Sequence, residues 1–305
     1  MSYKIPKTVE IRIIGPQDSG KTTYLATLAR FPQHKYMKSK FPEFKIEPEG
    51  IAAENLRSLA EDIIEKGAKI AGTMKGIEAE LPFYYFRITI PAIKGQPSME
   101  IELNARDFSG EIFHDISKKH KRSSIQDFVD DLFTAQGWFV MLTDYVDFYD
   151  PSSDTTKTNP DQNLYLAAFK ELFEEIEQRE KINPEVRNLR IAVVMAKCER
   201  GELWTGRLDP EEDLFKVRLP KTHEFLSKKF PARVNRLKFF ACSSFGVMSD
   251  RPEDFDPRPN RVIPDEDLSA NSNAHLRNVD QWNPYGLVAP IYWLATGKVL
   301  HDQRI

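Results

Sequence analysis

The sequence predicts an α/β fold of three layers, with helices on both faces of a mostly parallel β-sheet. Short β-branched segments alternate with amphipathic segments along most of the chain, which is typical of layered α/β proteins. A glycine-containing turn at 15–22 lies between the first strand and the first helix. A break at 94–97 separates two strand-like segments and is short enough for a hairpin, so one strand is expected to be antiparallel.

The individual elements follow from the apolar pattern. Apolar and β-branched runs predict strands at 9–14, 83–93, 99–108, 138–143, 189–196 and 237–242. Apolar residues at helical spacing predict helices at 24–30, 51–66, 125–134, 163–181 and 222–229, with a last helix within 286–300. The first helix ends before Pro32, because a residue that precedes proline is pushed out of the helical region. Gly67 is a suitable residue to end the second helix.

Three stretches interrupt the alternation and define the expected domain organisation. Insertions are expected around 31–80, which includes a polar loop up to about Gly50, and at 200–220. The segment 247–284 is rich in Pro, Asp, Asn and Arg, has no periodicity, and is expected to be irregular. Because the motifs described below fall in order between 15 and 246, we expect a single domain over 1–305.

The composition indicates a globular protein and excludes several classes. The formal charge is −3, so no basic excess suggests nucleic-acid binding, and 41% hydrophobic residues can build a large core. The two cysteines, Cys198 and Cys242, are too few for a disulfide framework and are expected to be reduced thiols. No apolar run approaches the roughly 20 residues of a membrane span, and no signal peptide is evident. We therefore expect a cytoplasmic location.

The strongest motif is G-P-Q-D-S-G-K-T at 15–22, an intact G-x-x-x-x-G-K-[ST] sequence directly after a predicted strand. Glycines let consecutive backbone N–H groups surround a β-phosphate, and the helix that follows adds its partial positive charge. Lys21 is expected to reach the β- and γ-phosphates, and the Thr22 hydroxyl to bind Mg²⁺. The expected nucleotide-binding residues of this loop are Gly15, Asp18, Ser19, Gly20, Lys21, Thr22 and Thr23.

A second motif supplies the carboxylate that a magnesium–phosphate site needs. Asp107 ends the predicted strand 99–108 and begins D-F-S-G, so it is the expected partner of the Mg²⁺ shell together with Thr22. The N–H of Gly110 is placed to bond a γ-phosphate and so to respond to its loss. An ordinary turn is the alternative interpretation of this short motif.

The motif order resembles that of the Ras-like P-loop GTPases of the translation-factor-related class. The resemblance implies a P-loop NTPase fold with Ras-like topology and two base-binding motifs, found here as A-K-C-E at 196–199 and S-S-F-G at 243–246. It implies that Lys197 lies along the purine, that Glu199 accepts from guanine N1–H and the exocyclic amine, and that Ser243 and Ser244 offer backbone N–H groups to O6. Ala196 and Glu199 replace the family's asparagine and aspartate, so adenine or no base discrimination remains an alternative.

The resemblance also implies two catalytic positions in the switch regions. Thr73, in A-G-T-M-K-G, is the expected switch threonine, which would complete the Mg²⁺ shell and contact the γ-phosphate. Glu111 stands where the family has the glutamine that orients water; a glutamate cannot donate as glutamine does, so hydrolysis is expected to be slow or partner-dependent. The basic run at 118–122 has two interpretations, a partner-facing patch or, preferably, a solvated loop or helix end.

The wider pattern looks like the bacterial double-GTPase proteins of conflict or defence systems. It consists of the phosphate loop, the long first insert and N-P-Y-G-L-V-A-P-I-Y-W-L near the C-terminus. The resulting prediction is a GTP- and Mg²⁺-dependent hydrolase acting as a switch or assembly component, with protein partners that read the switch regions and no nucleic-acid partner. Its alternatives are a nucleotide-binding scaffold without turnover and an ATP-dependent P-loop protein, of which a small-molecule kinase is the weakest case.

Overall fold

The computed structural model describes residues 7–66, 81–93, 95–144, 162–200, 203–262, 275–302 and 304. Its centre is a seven-stranded sheet, and four shorter strands form two small ribbons beside it. The sheet strands are β1 (Lys7–Ile14), β2 (Lys45–Glu49), β3 (Phe83–Ile90), β4 (Met99–Asp107), β5 (Gly137–Leu142), β6 (Arg190–Met195) and β7 (Leu237–Ala241). The ribbon strands are β8 (Val247–Ser249), β9 (Asp256–Pro259), β10 (Arg261–Val262) and β11 (His275–Leu276).

The sheet has the order β2-β3-β4-β1-β5-β6-β7. β4, β1, β5, β6 and β7 pair in parallel, whereas β3 is antiparallel to both β2 and β4. Among the described sheet strands, β3 is therefore the one that runs against the others. The predicted α/β fold, with a mostly parallel sheet and one antiparallel strand, is confirmed, and the carboxyl ends of β1, β4, β6 and β7 lie along one edge.

Helices cover both faces of this sheet. They are α1 (Lys21–Arg30), α2 (Lys35–Lys40), α3 (Ile51–Glu65), α4 (Gly110–Ile116), α5 (Gln126–Leu132), α6 (Gln162–Ile182), α7 (Leu203–Gly206), α8 (Lys216–Arg218), α9 (Pro220–Lys229) and α10 (Ala289–Thr296). In the described part of the chain, none of these helices has the length and apolar character that a membrane crossing requires.

Two buried clusters show why the layers form. Successive side chains of a strand point to opposite faces, so the wholly buried β5 serves both. Phe139 and Met141 pack with α1, α3 and α10 on one face. Trp138 and Val140 pack with α4, α5, α6 and α9 on the other. A strand that is covered on both faces has a continuous run of apolar residues, and this run is the pattern that predicted β5 from the sequence.

The first insertion contains more structure than the sequence indicated. The hairpin between β3 and β4 is confirmed, and Ile93 and Gln96 pair across its turn. The stretch expected as a loop up to Gly50 instead contains α2 and the edge strand β2. β2 is short and polar and includes Pro48, which an edge strand tolerates, so it lacks the usual apolar pattern. Gly67, the expected end of α3, lies outside the described residues.

The other two interruptions are also more regular than expected. The stretch 200–220 contains α7, α8 and a π-helix at Pro210–Phe215. The stretch 247–284 contains the two ribbons, β8 with β9 and β10 with β11. Strands of two to four residues are too short to show an alternating pattern, so sequence reasoning took this segment as irregular.

A buried charge cluster joins β1, β4 and α5. Asp131 accepts from Arg12 Nε at 2.8 Å and Nη2 at 3.0 Å, and Arg106 Nη1 lies 3.2 Å from the same carboxylate. All three side chains are at most 8% exposed. The ring of Phe83 faces both guanidinium groups, at 4.4 Å from Arg106 and 5.4 Å from Arg12. Two buried cations thus share the Asp131 carboxylate, and Arg12 Nη2 also lies 3.9 Å from the more exposed Glu10 carboxylate.

We predict that Asp131→Ala lowers the free energy of unfolding by about 3–5 kcal/mol, because it removes the buried carboxylate that two guanidinium groups share. The adjacent Asp130 is a matched control: it is 54% exposed and pairs with Arg179, so Asp130→Ala is expected to cost less than about 1 kcal/mol. Urea unfolding followed by circular dichroism measures both. Equal losses in the two variants would contradict a structural role for the cluster.

Candidate nucleotide-binding site

Four loops meet at the carboxyl edge of the sheet. They follow β1, β4, β6 and β7. These loops, together with the end of β4 and the first turns of α1 and α4, contain all the predicted site residues except Thr73. Parallel strands bring their carboxyl ends to the same edge, and ligands of open α/β sheets bind outside that edge. The structure therefore gathers motifs that are up to 230 positions apart in the sequence. Thr73 lies outside the described residues.

The phosphate loop is shaped by two close backbone approaches. A Cβ on Gly15 would overlap the carbonyl oxygen of Met141 on β5 and lie 3.1 Å from Ser19 Oγ, so only glycine fits there. Asp18, which is exposed, has a left-handed backbone with φ of 58°. Gly20 precedes α1 with φ of 92°, and its carbonyl accepts from Tyr24 N at 2.8 Å. The loop thus curls and leads directly into the helix, as the motif predicted.

Lys21 lies inside this loop. Its side chain is buried, and Nζ donates to the carbonyl oxygens of Gly15 at 3.1 Å and Pro16 at 3.0 Å and to Ser19 Oγ at 3.4 Å. Burial lowers the pKa of the Lys21 ammonium, and the nearby carboxylates of Asp107 and Asp18 oppose that effect. A phosphate oxygen is a stronger acceptor for a buried ammonium than these neutral oxygens are.

Thr22, on the first turn of α1, lies beside Asp107, the last residue of β4. Thr22 Oγ1 donates to Asp107 Oδ2 at 2.9 Å, and Asp107 is 1% exposed. Ile13 pairs with Asp107 in the parallel ladder, which places the end of β4 beside the loop. Thr23 lies next along α1, and its carbonyl accepts from the Thr27 hydroxyl at 2.8 Å. A hydroxyl and a carboxylate at this distance are hard oxygen ligands of the type that Mg²⁺ prefers.

Gly110 touches the phosphate loop directly. A Cβ on Gly110 would overlap the backbone nitrogen of Gln17 and lie 2.7 Å from the carbonyl carbon of Pro16. Ser109 precedes α4, and its hydroxyl accepts from the N–H of Glu111 at 3.4 Å. The Glu111 side chain is exposed on the first turn of α4. The D-x-x-G segment is therefore in contact with the loop rather than an unrelated turn.

The two expected base-binding segments are called here the first base loop (196–199) and the second base loop (243–246). The first base loop contacts the phosphate loop. Lys197 has a left-handed backbone with φ of 57°, and its Cε lies 3.9 Å from the position of a Cβ on Gly20. The N–H of Cys198 donates to the carbonyl oxygen of Cys242 at 3.1 Å, which joins the first base loop to the second. The stem of Lys197 thus runs over the N-terminus of α1; its expected position along a purine stays a prediction.

Glu199 and Ser243 form a buried pair. Glu199 is fully buried, and its Oε2 accepts from the Ser243 hydroxyl at 2.6 Å. The expectation that the Ser243 N–H serves guanine O6 is wrong for this structure, because that N–H donates to the Tyr285 carbonyl at 2.9 Å. Ser244 is half-buried, and its carbonyl accepts from the indole N–H of Trp282 at 2.8 Å. Ser243 acts here through its side chain.

Sequence reasoning missed the segment that supports the second base loop. Trp282 is buried in the same core cluster as the last helix, and its indole N–H also bonds the second base loop; Tyr285 pairs with Ser243 through two backbone hydrogen bonds. Arg261 reaches Glu199, with Nη1 3.8 Å from Oε1. The sequence signal was the aromatic cluster at 282–293, of which Tyr292 and Trp293 do pack in the core as expected.

The basic run 118–122 is docked on α6. Lys119 lies 3.5 Å from Glu171 and 4.0 Å from Glu174, and Arg122 pairs with Glu175. Lys119 and His120 remain exposed. The preferred interpretation, a solvated helix end, fits this 3₁₀ segment, although its charges are matched by the acidic face of α6.

Comparisons with known proteins were made for the whole chain. No family model matches it, and no curated protein matches it. The S. cerevisiae Ski7 GTPase-like domain bound to GTP matches with 12% identity and a TM-score of 0.36, over 83% of this chain and 48% of that one. Elongation factor SelB from Methanococcus maripaludis with the GTP analogue GppNHp has 10% identity and a TM-score of 0.33, over 79% and 31%. Sup35 with GMPPNP has 10% identity and a TM-score of 0.31, over 79% and 38%.

This chain therefore spans less than half the length of each of these solved chains. The fold assignment depends on the strand order and the loop geometry of this chain. They show the α/β P-loop arrangement, with the phosphate loop between β1 and α1 and the antiparallel β3 beside β4.

We predict that Cys198 and Cys242 are inert in the folded protein. Both are free and buried, and burial raises the pKa of each thiol, so the reactive thiolate is scarce. An aromatic disulfide reagent at neutral pH is expected to label neither thiol within minutes, and both after addition of guanidinium chloride. Rapid labelling of the native protein would contradict the closed packing of the two base loops.

Proposed function

We propose that this protein binds GTP and Mg²⁺ and hydrolyses the nucleotide, acting as a molecular switch or assembly component. The observation that carries the proposal is the folded phosphate loop, with Lys21 inside it and Thr22 bonded to Asp107. A buried cation, a helix N-terminus and two hard oxygen ligands thus lie together at the carboxyl edge of the sheet, which supports phosphate and Mg²⁺ binding.

The phosphates would be held mainly by the chain's own backbone and by Lys21. Lys21 Nζ is already surrounded by three oxygen atoms of the loop, so phosphate oxygens can replace these neutral partners without moving the side chain far. A pre-positioned ammonium loses little side-chain entropy when it binds, and a charge-assisted hydrogen bond is stronger than a neutral one. The loop is therefore well suited to a di- or triphosphate.

The residues also fit a magnesium ion. Within the described ranges, no three His, Cys, Asp or Glu side chains group as a metal site. Mg²⁺ commonly uses one or two protein oxygens together with substrate phosphates, and Thr22 Oγ1 and Asp107 are those oxygens here. Bound there, the ion would neutralise charge that develops on the phosphates. Thr73, the remaining expected ligand, is part of this proposal from the sequence alone.

Gly110 and Glu111 are the residues proposed to respond to the presence of a γ-phosphate. Gly110 packs against Gln17, so a change in the phosphate loop shifts the start of α4. Glu111 is exposed on that first turn, where it would orient water, but a carboxylate repels the negative charge of the phosphate. We therefore propose slow intrinsic hydrolysis that increases with a protein partner at the switch regions.

Guanine recognition is the part of the proposal that depends on Glu199. A carboxylate that accepts from N1–H and the exocyclic amine selects guanine over adenine, and Lys197, whose side chain runs over Gly20, would lie along the purine. A nucleotide-binding scaffold without turnover is the second candidate. It is favoured by the exposed Glu111 in place of the glutamine that orients water and by Ala196 in place of the family's asparagine.

The wider biological setting is proposed from the sequence resemblance alone. A single domain over 1–305, a cytoplasmic location, and membership of the bacterial double-GTPase group of conflict or defence systems belong to this proposal. Partners that respond to nucleotide state would then contact α4 and the basic segment 118–122.

We predict that Lys21→Ala weakens GTP binding by roughly 10- to 150-fold, because it removes hydrogen bonds from a charged group worth about 1.5–3 kcal/mol. Isothermal titration calorimetry with GTP, GDP and ATP in the presence of Mg²⁺ measures this effect and the base preference together. Lys38→Ala, at an exposed position on α2, is the control and should bind as the parent does. Equal affinities of the parent for GTP and ATP would contradict guanine recognition, and Lys21-independent binding would contradict the site.

The second test uses two adjacent threonines. We predict that Thr22→Ala abolishes the Mg²⁺ dependence of GTP affinity and reduces phosphate release to background, whereas Thr23→Ala retains both. Thr22 Oγ1 faces Asp107 at 2.9 Å, whereas the Thr23 carbonyl accepts a bond within α1, and Thr23→Ala keeps the backbone N–H of Thr23 for a phosphate. Phosphate release by the parent equal to that of Thr22→Ala, with tight binding retained, would instead support the scaffold.

A further inference from the structure

Glu199, the carboxylate proposed to bind the base, is enclosed by Ser243 of the second base loop and by Arg261. The Glu199 side chain is 1% exposed, although a base-reading carboxylate has to present both oxygens to its ligand. Oε2 accepts from the Ser243 hydroxyl at 2.6 Å, and that hydroxyl accepts from the N–H of Gly246 at 2.7 Å. Oε1 faces Arg261, whose Nη1 lies 3.8 Å away. One oxygen is therefore bonded within the loop, and the other is opposite a cation.

Arg261 is held in this position by its neighbours. The preceding residue, Asn260, is fully buried and donates its N–H to the Gly246 carbonyl at 2.9 Å. The Asn260 side chain bonds the backbone of Asn278 twice, with Nδ2 to the carbonyl at 2.8 Å and Oδ1 from the N–H at 2.8 Å. Arg261 itself pairs with Leu276 in the β10–β11 ribbon. The backbone of Arg261 is thus fixed relative to the second base loop, and its side chain, which is 6% exposed, is not a surface charge.

The chemistry of the pair sets up a competition. A guanine base offers Glu199 two neutral donors, the N1–H and the exocyclic amine, whereas Arg261 offers a full positive charge. Attraction between opposite charges is several times stronger in partly buried surroundings than in water. The donors of the base must therefore weaken an existing ion pair before they bond Oε1. Adenine makes no such demand, because it has no N–H at N1.

We propose that Arg261 is a specificity-determining residue, which competes with guanine for Glu199 and so reduces the preference for GTP over ATP. The inference rests on the proposed function, since it concerns the base pocket of that nucleotide site. The proposal adds Arg261, which follows β9, to the nucleotide site. It attributes the base preference to the Arg261–Glu199 ion pair rather than to Glu199 alone.

The experiment compares the parent with Arg261→Gln, which removes the charge but keeps a polar side chain. Affinities for GTP, ITP and ATP are measured by calorimetry with Mg²⁺; ITP retains N1–H but lacks the exocyclic amine. We expect the GTP:ATP affinity ratio to rise at least about fivefold in Arg261→Gln, the effect of one net hydrogen bond. ATP affinity should not change.

Two further variants make the test specific. Arg258 lies in the same segment, is exposed and pairs with Asp256 at 2.6 Å, so Arg258→Gln is the matched control and should keep the parent ratio. Arg261→Lys keeps the buried charge in balance and therefore folds even if Arg261→Gln does not. Its shorter reach to Oε1 should raise the ratio by a smaller factor.

The outcomes separate this inference from the proposed function. Lys21-dependent binding with the parent GTP:ATP ratio in folded Arg261 variants overturns the inference alone. A lower ratio in these variants also overturns it, because Arg261 would then support base reading instead of competing with it. Failure of the parent to bind any of the three triphosphates overturns the proposed function and the inference together.

Discussion

The buried ammonium of Lys21 is the constraint on which the carboxyl edge of the sheet depends. A cation in a low-dielectric environment needs oxygen partners, and the loop supplies them from Gly15, Pro16 and Ser19. Those partners converge only if the chain curls tightly, which requires the backbone at Gly15 to lie against Met141. The strand order then matters, because β4 beside β1 brings the Asp107 carboxylate close to the same cation.

The contact at Gly110 extends this arrangement into the helical layer. A side chain at Gly110 would meet backbone atoms of Pro16 and Gln17, which no change of rotamer relieves, so the start of α4 packs directly on the phosphate loop. Beyond α4, Lys119 and Arg122 bind the acidic face of α6. The phosphate loop, α4 and α6 are therefore packed in series, and exposed ion pairs such as that of Lys119 are the weakest and most salt-sensitive contacts in this series.

The sequence predicted the parts of this structure that have strong local patterns. Apolar strands such as β5, the long helix α6 and the phosphate loop carry signals within a few residues, and the structure has them within one to three positions. β2, with the sequence KIEPE, and the two-residue strands β10 and β11 have no such pattern and form because a partner strand is present. The prediction for the Ser243 backbone N–H was wrong for the same reason, because the partner of that N–H, Tyr285, is 42 positions away in the sequence.

The C-terminal segment is therefore part of the site and not an appendage to it. The Tyr24 hydroxyl, on the helix that begins with Lys21, donates to the Leu287 carbonyl at 2.6 Å. Two residues earlier, Tyr285 pairs with Ser243, and its hydroxyl donates to the Arg207 carbonyl at 3.2 Å. One short stretch thus supports the phosphate-binding helix and the base loop at once. One support is a bond from a side-chain hydroxyl to a main-chain carbonyl, and the other is a pair of main-chain bonds. This stretch therefore joins α1 to the second base loop, in addition to the contact that Lys197 makes over Gly20.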